Sequence, residues 1–173
     1  MLLKYKHTLY MSLQKREILK IVAVVTMIID HIGRIGYPDI VALQIIGRLS
    51  FPLFAAFIAQ GYIHTSNLKK YSLRLLALAF ISQFPYMLAV GVVRLNIFFE
   101  LFAGLITIYM YEKKMWDALF FFGIFMIFIE PMLLVDYGIY GIGAMLLFYL
   151  YFQKRIPPQD ALVAFTLMNL YAA

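Results

Sequence analysis

The sequence predicts an all-α fold, a polytopic membrane helix bundle of about six to seven transmembrane helices with a cytoplasmic N-terminus. Three observations carry that prediction. Of the 173 residues 64% are hydrophobic and only 14% are charged, with a mean hydropathy of +0.86; a soluble domain is about half apolar and a quarter charged. The apolar residues form one span-length run after another along the chain, more than a single buried hairpin needs. Twelve of the fifteen Lys and Arg residues collect in alternate segments between those runs, the bias that orients a membrane protein.

Residues 1–18 read as a basic cytoplasmic N-terminal segment and 19–173 as one transmembrane helical domain. The first twenty residues carry six Lys, Arg or His, among them His7, and no small-residue cleavage site follows the first apolar run. That run is therefore expected to stay as a permanent helix. Spans are predicted near 20–37, 41–63, 73–93, 95–111, 116–134 and 137–152. A last apolar stretch, 161–173, is short for a span and reads as a partial or interfacial helix. Turn residues separate the runs: Tyr37-Pro38-Asp39, Gly91, Glu112-Lys113-Lys114, Pro131 and Ile156-Pro157-Pro158. Pro52 and Pro85 are expected to kink their helices, and Gly138, Gly141 and Gly143 to let helices approach closely.

The charge pattern bounds the function. The net charge of +6 belongs to cytoplasmic loops, and no basic cluster interleaves with aromatics on a soluble module, so nucleic acid is not an expected partner. With no cysteine and three scattered histidines, neither a disulfide nor a metal site is expected. No phosphate-binding glycine loop or nucleophile elbow is present.

One segment breaks the apolar pattern. "TMIIDHIGRIG", residues 26–36, places Asp30, His31 and Arg34 inside a span. At about 1.5 Å per residue, Asp30 and His31 lie roughly 15 Å along the first helix, and Arg48 of the second helix descends to a similar depth. Ionisable groups at that depth each cost on the order of 2.5–3.5 kcal/mol and are usually paired. Asp30 and Arg34, one turn apart, can meet, so Asp30 is expected to pair with Arg34 or Arg48, leaving His31 to a cavity. The consecutive Asp30 and His31 are about 100° apart around the helix, so the acid does not orient the imidazole. Two readings stand side by side: a structural salt-bridge clasp, and a functional site. Asn96 and Glu100, also one turn apart, line the same cavity or act as interhelical glue.

The polar motifs carry a resemblance. An IDHIG helix, an IGRLSFPLF helix, a His-Thr-x-Asn turn, a QFPY segment, an LNIFF helix start and a DYGIYG helix start occur in this order over roughly residues 19–152, and together they resemble the TraX family. The resemblance implies a polytopic protein of the bacterial inner (cytoplasmic) membrane, associated in conjugation systems with N-terminal acetylation of pilin and related to transmembrane acyltransferases. It implies an acetyltransferase that moves an acyl group from cytoplasmic acyl-CoA, most simply acetyl-CoA, to an amine or hydroxyl on a pilin, another peptide or a glycan. No permanently bound cofactor is implied. By motif, His31 is the catalytic base with Asp30 beside it, Arg48 is its partner, and Asn96 and Asp136 are lesser site residues. Lys69, Lys70 and Arg74 are then expected to hold the CoA phosphates, with Arg34, Asn96, Glu100 and Asp136 around the acceptor, and Arg48 or Asn96 to stabilise the oxyanion. Direct transfer and an acyl-His intermediate both fit His31. A small ion or solute transporter and a non-catalytic membrane assembly partner, oligomeric or not, are the rival classes.

Overall fold

The computed structural model describes residues 13–91, 94–133 and 135–172. His7, Lys4, Lys6 and the rest of residues 1–12 lie outside it. Among the described residues all regular structure is helical: α1 (Leu13–His31), running into a π-helical turn (Ile32–Gly36), α2 (Val41–Gly47), α3 (Ser50–His64), α4 (Leu68–Val90), α5 (Ile97–Glu112), α6 (Trp116–Leu133), α7 (Gly138–Phe152) and α8 (Pro158–Ala172).

Local chemistry explains most boundaries. Asn67 and Asn96 cap α4 and α5, their side-chain oxygens accepting from Lys70 N–H at 2.9 Å and Phe98 N–H at 3.0 Å, which satisfies donors that a helix start leaves unpaired. Gly91 closes α4 at φ 73°, a left-handed cap that glycine adopts without strain. The predicted second span is broken: Arg48 and Leu49 separate α2 from α3. Pro52, one turn on, has no N–H to offer the Arg48 carbonyl, and it sits in the first turn of α3, where proline is tolerated. Pro85 instead stays inside a continuous α4, removing the N–H that the Ile81 carbonyl would accept. Position 131 lies within α6 rather than ending it.

The centre of the molecule is the packing of α3, α5 and α7 on one another. Phe51, Ile58, Leu105, Ile108, Met145 and Tyr149 fill it, and small residues set the spacing: Ala55, Ala59 and Ala144 are fully buried, and Gly104 lies under the end of the Met145 side chain. Around this core, α1 packs on α2 and α3, α4 on α5, α6 on α5 and α7, and α8 on α7.

The exterior is as apolar as the interior. Ile81, Phe84, Leu88, Phe128 and Met132 are each at least 70% exposed, a surface suited to lipid rather than to water. By length and composition two helices can cross a membrane, Val41–His64 taken as one unit across its break and Leu68–Val90. α7 is apolar but shorter, and α8 has 15 residues, below the ~20 that a span needs.

Candidate functional site

The sequence motif at residues 30–34 builds one wall of a cavity of about 640 Å³. α1 and its π-turn supply Asp30, His31 and Arg34, and α4 supplies Ser82, Pro85 and Tyr86. Arg94 and Asn96 come from the approach to α5, and Asp136 from the residues before α7. The π-turn begins immediately after His31, with Tyr37 N–H reaching back five residues to the Ile32 carbonyl at 3.1 Å. Such widened turns recur at functional sites.

Asp30 is buried, at 8% exposure, and its Oδ2 accepts from Arg34 Nε at 2.8 Å. This is the one-turn pairing that helical spacing allows. His31 is exposed toward the cavity. Its Nδ1 lies 2.8 Å from the Met27 carbonyl oxygen. A carbonyl oxygen only accepts, so Nδ1 carries a proton, and in the neutral imidazole Nε2 is the nitrogen with the lone pair. The backbone of α1, not Asp30, thereby sets the imidazole tautomer.

A second ionic group lines the cavity. Arg94 Nη1 donates to Asp136 Oδ1 at 2.6 Å, and Tyr86 O–H donates to Asp136 Oδ2 at 3.2 Å. Arg34 Nη1 lies 3.9 Å from Asp136 Oδ1. Asp136 thus draws together the ends of α1, α4 and α5. Gln83 fixes the loop that bears Arg94, donating to the Arg94 carbonyl at 2.7 Å and accepting from Asn96 N–H at 3.0 Å.

The structure separates the expected residues into those that meet and those that do not. Asp30, His31, Arg34 and Asp136 surround the cavity. Asn96 contributes to its wall, but its amide is committed: Oδ1 caps α5, and Nδ2 donates to the Ala79 carbonyl at 2.7 Å and to Gln83 Oε1 at 2.9 Å. Arg48 falls at the α2–α3 break, where its side chain is exposed and does not line the cavity. Depth along a helix predicted its level but not its direction, and the break turns it outward. Glu100 is 2% exposed and faces α7 instead, its Oε2 accepting from Tyr137 N–H at 3.2 Å and its Oε1 lying against Gly141. Lys69, Lys70 and Arg74 line a separate, shallow pocket of about 360 Å³ at the start of α4. No cluster of three or more His, Cys, Asp or Glu that could hold a metal occurs among the described residues.

Sequence reasoning did not single out Arg94, Tyr86 and Gln83. Two of them stand in the QFPY segment, whose polar groups within an apolar run were the available signal.

The TraX protein family model matches residues 15–172, nearly the whole chain. The chain belongs to the TraX family. Curated relatives match this TraX chain over shorter stretches. An uncharacterized protein of Rickettsia prowazekii (strain Madrid E) is 40% identical over 47 residues, 27% of this chain and 19% of the relative. A probable fimbrial assembly protein FimC, serogroup H1, of Dichelobacter nodosus is 35% identical over 69 residues, 38% of this chain and 28% of the relative. The matched stretches thus span just under a fifth and just over a quarter of those relatives' lengths. No solved structure matches this TraX chain.

Proposed function

We propose that this TraX chain is an acyltransferase embedded in the bacterial inner membrane. It would take an acetyl group from cytoplasmic acetyl-CoA and place it on an amine or hydroxyl acceptor. The amino terminus of a pilin or similar peptide is the leading instance, in keeping with the fimbrial role that the Dichelobacter relative's name describes. The observation that carries the reading is His31: an imidazole with Nδ1 tied to the Met27 carbonyl, which leaves Nε2 as the nitrogen able to take a proton, beside a cavity otherwise ringed by paired charges.

In this reading six helical spans and the short α8 form the membrane body, with α2 and α3 counted as one span. The N-terminus is cytoplasmic, because the basic residues at 15–20, 69–74, 113–114 and 154–155 then share the cytoplasmic face. Lys69, Lys70 and Arg74 hold the CoA phosphates at that face. Ser82 lies eight residues beyond Arg74 along α4, about 12 Å at 1.5 Å per residue, so a pantetheine arm lying along α4 brings the thioester to the cavity. His31 Nε2 takes the proton from the acceptor amine as its nitrogen attacks the thioester carbonyl. The developing oxyanion is stabilised by the guanidinium groups of Arg34 and Arg94, in place of Arg48 and Asn96. The C–S bond then breaks, CoA leaves as the thiolate, and the proton on His31 returns to it.

Purified protein in liposomes, given labelled acetyl-CoA and an acceptor peptide, tests this. His31→Ala is expected to lose transfer by about 10²–10⁴-fold, the usual contribution of a general base, while keeping its fold. Full turnover by His31→Ala sinks the assignment.

The mutual pairing of Asp30 with Arg34 and of Asp136 with Arg94 favours a second reading, a non-catalytic assembly partner whose charges only clasp helices. That reading expects wild-type protein to transfer no label and His31→Ala cells to assemble pili normally.

A further inference from the structure

The cavity lies between two helices that do not pack on each other. α1 rests on α2 and α3, and α4 rests on α5, with no substantial contact between α1 and α4. The rims of the gap are apolar and turned outward: Ile28, Ile32 and Ile35 on the α1 side are each about half exposed, and Pro85 and Ala89 on α4 are exposed. Across one end runs the strap of Arg94, Asp136, Tyr86 and Arg34. The strap sits where α1, α4 and α5 end, and among the described residues α1 and α4 make no substantial contact along the gap.

We propose that this gap is a lateral portal: the acceptor reaches His31 sideways from the bilayer, as a peptide whose apolar segment stays in lipid while its amine-bearing end enters the cavity. The inference rests on the acyltransferase reading and adds the acceptor's route and its need for a membrane anchor. Size and lining support it. About 640 Å³ suits a small ligand or the tip of a chain, whereas a helix is ~10–12 Å across, so only the end of such an acceptor enters. The polar groups lie inside and the isoleucine rims outside, which matches a polar terminus on an apolar stem. Holding the stem in the bilayer also concentrates the amine at the portal, as linkage does for any tethered group.

Two measurements test the proposal separately from the chemistry. The chain has no cysteine, so Ser82→Cys carries a single nitroxide without background changes. In liposomes a portal open to lipid exposes that label to oxygen and shields it from a water-soluble nickel chelate; the reverse pattern overturns the proposal. For transfer, two peptides share one amino-terminal sequence, one short and soluble, the other extended by an apolar segment of ~20 residues, long enough to span. The anchored peptide is expected to react at least about tenfold faster, from its higher effective concentration. Ala89→Trp, which narrows the gap, is expected to slow the anchored peptide by at least about tenfold and so remove its advantage over the short one. Leu162→Trp, on the exposed face of α8, is expected to change neither. Equal rates for the two peptides, an Ala89→Trp protein that keeps the preference, or acylation of a long-chain lipid amine in place of the anchored peptide overturns the proposal. Failure of both peptides with wild-type protein, alongside an oxygen-exposed label, instead sinks the acyltransferase reading and leaves the portal standing.

Discussion

Gly47 of α2 lies directly against Asp30 of α1: a β-carbon at position 47 would overlap the Asp30 side chain and crowd its backbone. The glycine of the IGR motif therefore seats the acid of the IDHIG motif, and the two stretches form a single structural unit. On the next turn Gly33 approaches Leu43 and the Gln44 backbone in the same way. Because the Asp30 backbone itself is in the way, α1 and α2 must separate to admit a larger residue. Gly47→Ala is expected to lower stability by about 1–3 kcal/mol, the range for overpacked sites, read as a lower melting temperature in detergent. Gly123→Ala in α6, where nothing approaches within 4 Å, is expected to be neutral or to stabilise by up to about 1 kcal/mol.

Arg34 and Arg48 are the two guanidinium groups that helix depth offered to Asp30, and their substitution separates them. Arg34→Met leaves the buried carboxylate without its 2.8 Å partner. Removing one member of a buried pair is strongly destabilising, but the Arg34 side chain is 39% exposed, which screens the pair. A loss of about 1–2 kcal/mol is expected. Arg48→Met is expected to change stability by less than about 0.5 kcal/mol, as for an exposed surface site. The double variant Asp30→Leu with Arg34→Met is expected to regain most of the lost stability.

Much of the fold was legible because a membrane body repeats one device, a long apolar run ended by a polar or glycine cap. Asn67, Gly91 and Asn96 mark their helix ends in the sequence as they do in the structure. Which helices pack together was not legible. In a bundle whose outside is as apolar as its inside, a helix loses the polar face that ordinarily shows which side points inward. The gap between α1 and α4 is a property of packing that neither helix carries alone. Asp30 and Arg34 were readable because one helical turn joins them. Arg94 and Asp136, 42 residues apart in the chain, have no such local rule, and the outward turn of Arg48 depends on a break that its proline only permits.

Asn96 separates a wall residue from a reacting one. Its side chain makes three hydrogen bonds, to Phe98 N–H, the Ala79 carbonyl and Gln83, and it is 3% exposed. Asn96→Ala removes a cap, for which about 0.5–2 kcal/mol is typical, and also leaves the Ala79 carbonyl without this donor, for a further loss of about 1–3 kcal/mol. Asn96→Asp keeps the capping oxygen but sets a carboxylate oxygen against two acceptors, the Ala79 carbonyl and Gln83 Oε1, so it is expected to be destabilised at least as much as Asn96→Ala. Once corrected for the folded fraction, kcat of both variants is expected to match wild type. A kcat drop in a fully folded Asn96→Asp protein would return Asn96 to the chemistry.

The start of α7 combines two independent constraints at one residue. Gly138 has φ 50° and lies against the Glu130 carboxylate, whose Oε2 accepts from Ile139 N–H at 3.1 Å. Alanine there would meet both the left-handed penalty of about 1–2 kcal/mol and an overlap worth about 1–3 kcal/mol. Gly138→Ala is therefore expected to destabilise by about 2–5 kcal/mol. Pairing it with Glu130→Ala relieves the overlap but not the backbone strain, so rescue is expected to be partial. Lys154 has nearly the same backbone, φ 55°, in an exposed loop. Lys154→Gly removes the strain while freeing the unfolded chain, two effects that oppose each other, so a net change within about 1 kcal/mol is expected. If Gly138→Ala melts no lower than Lys154→Gly, the contact between Glu130 and α7 does not hold the start of that helix. Asp136 would then owe its place beside Arg94 to the ion pair alone.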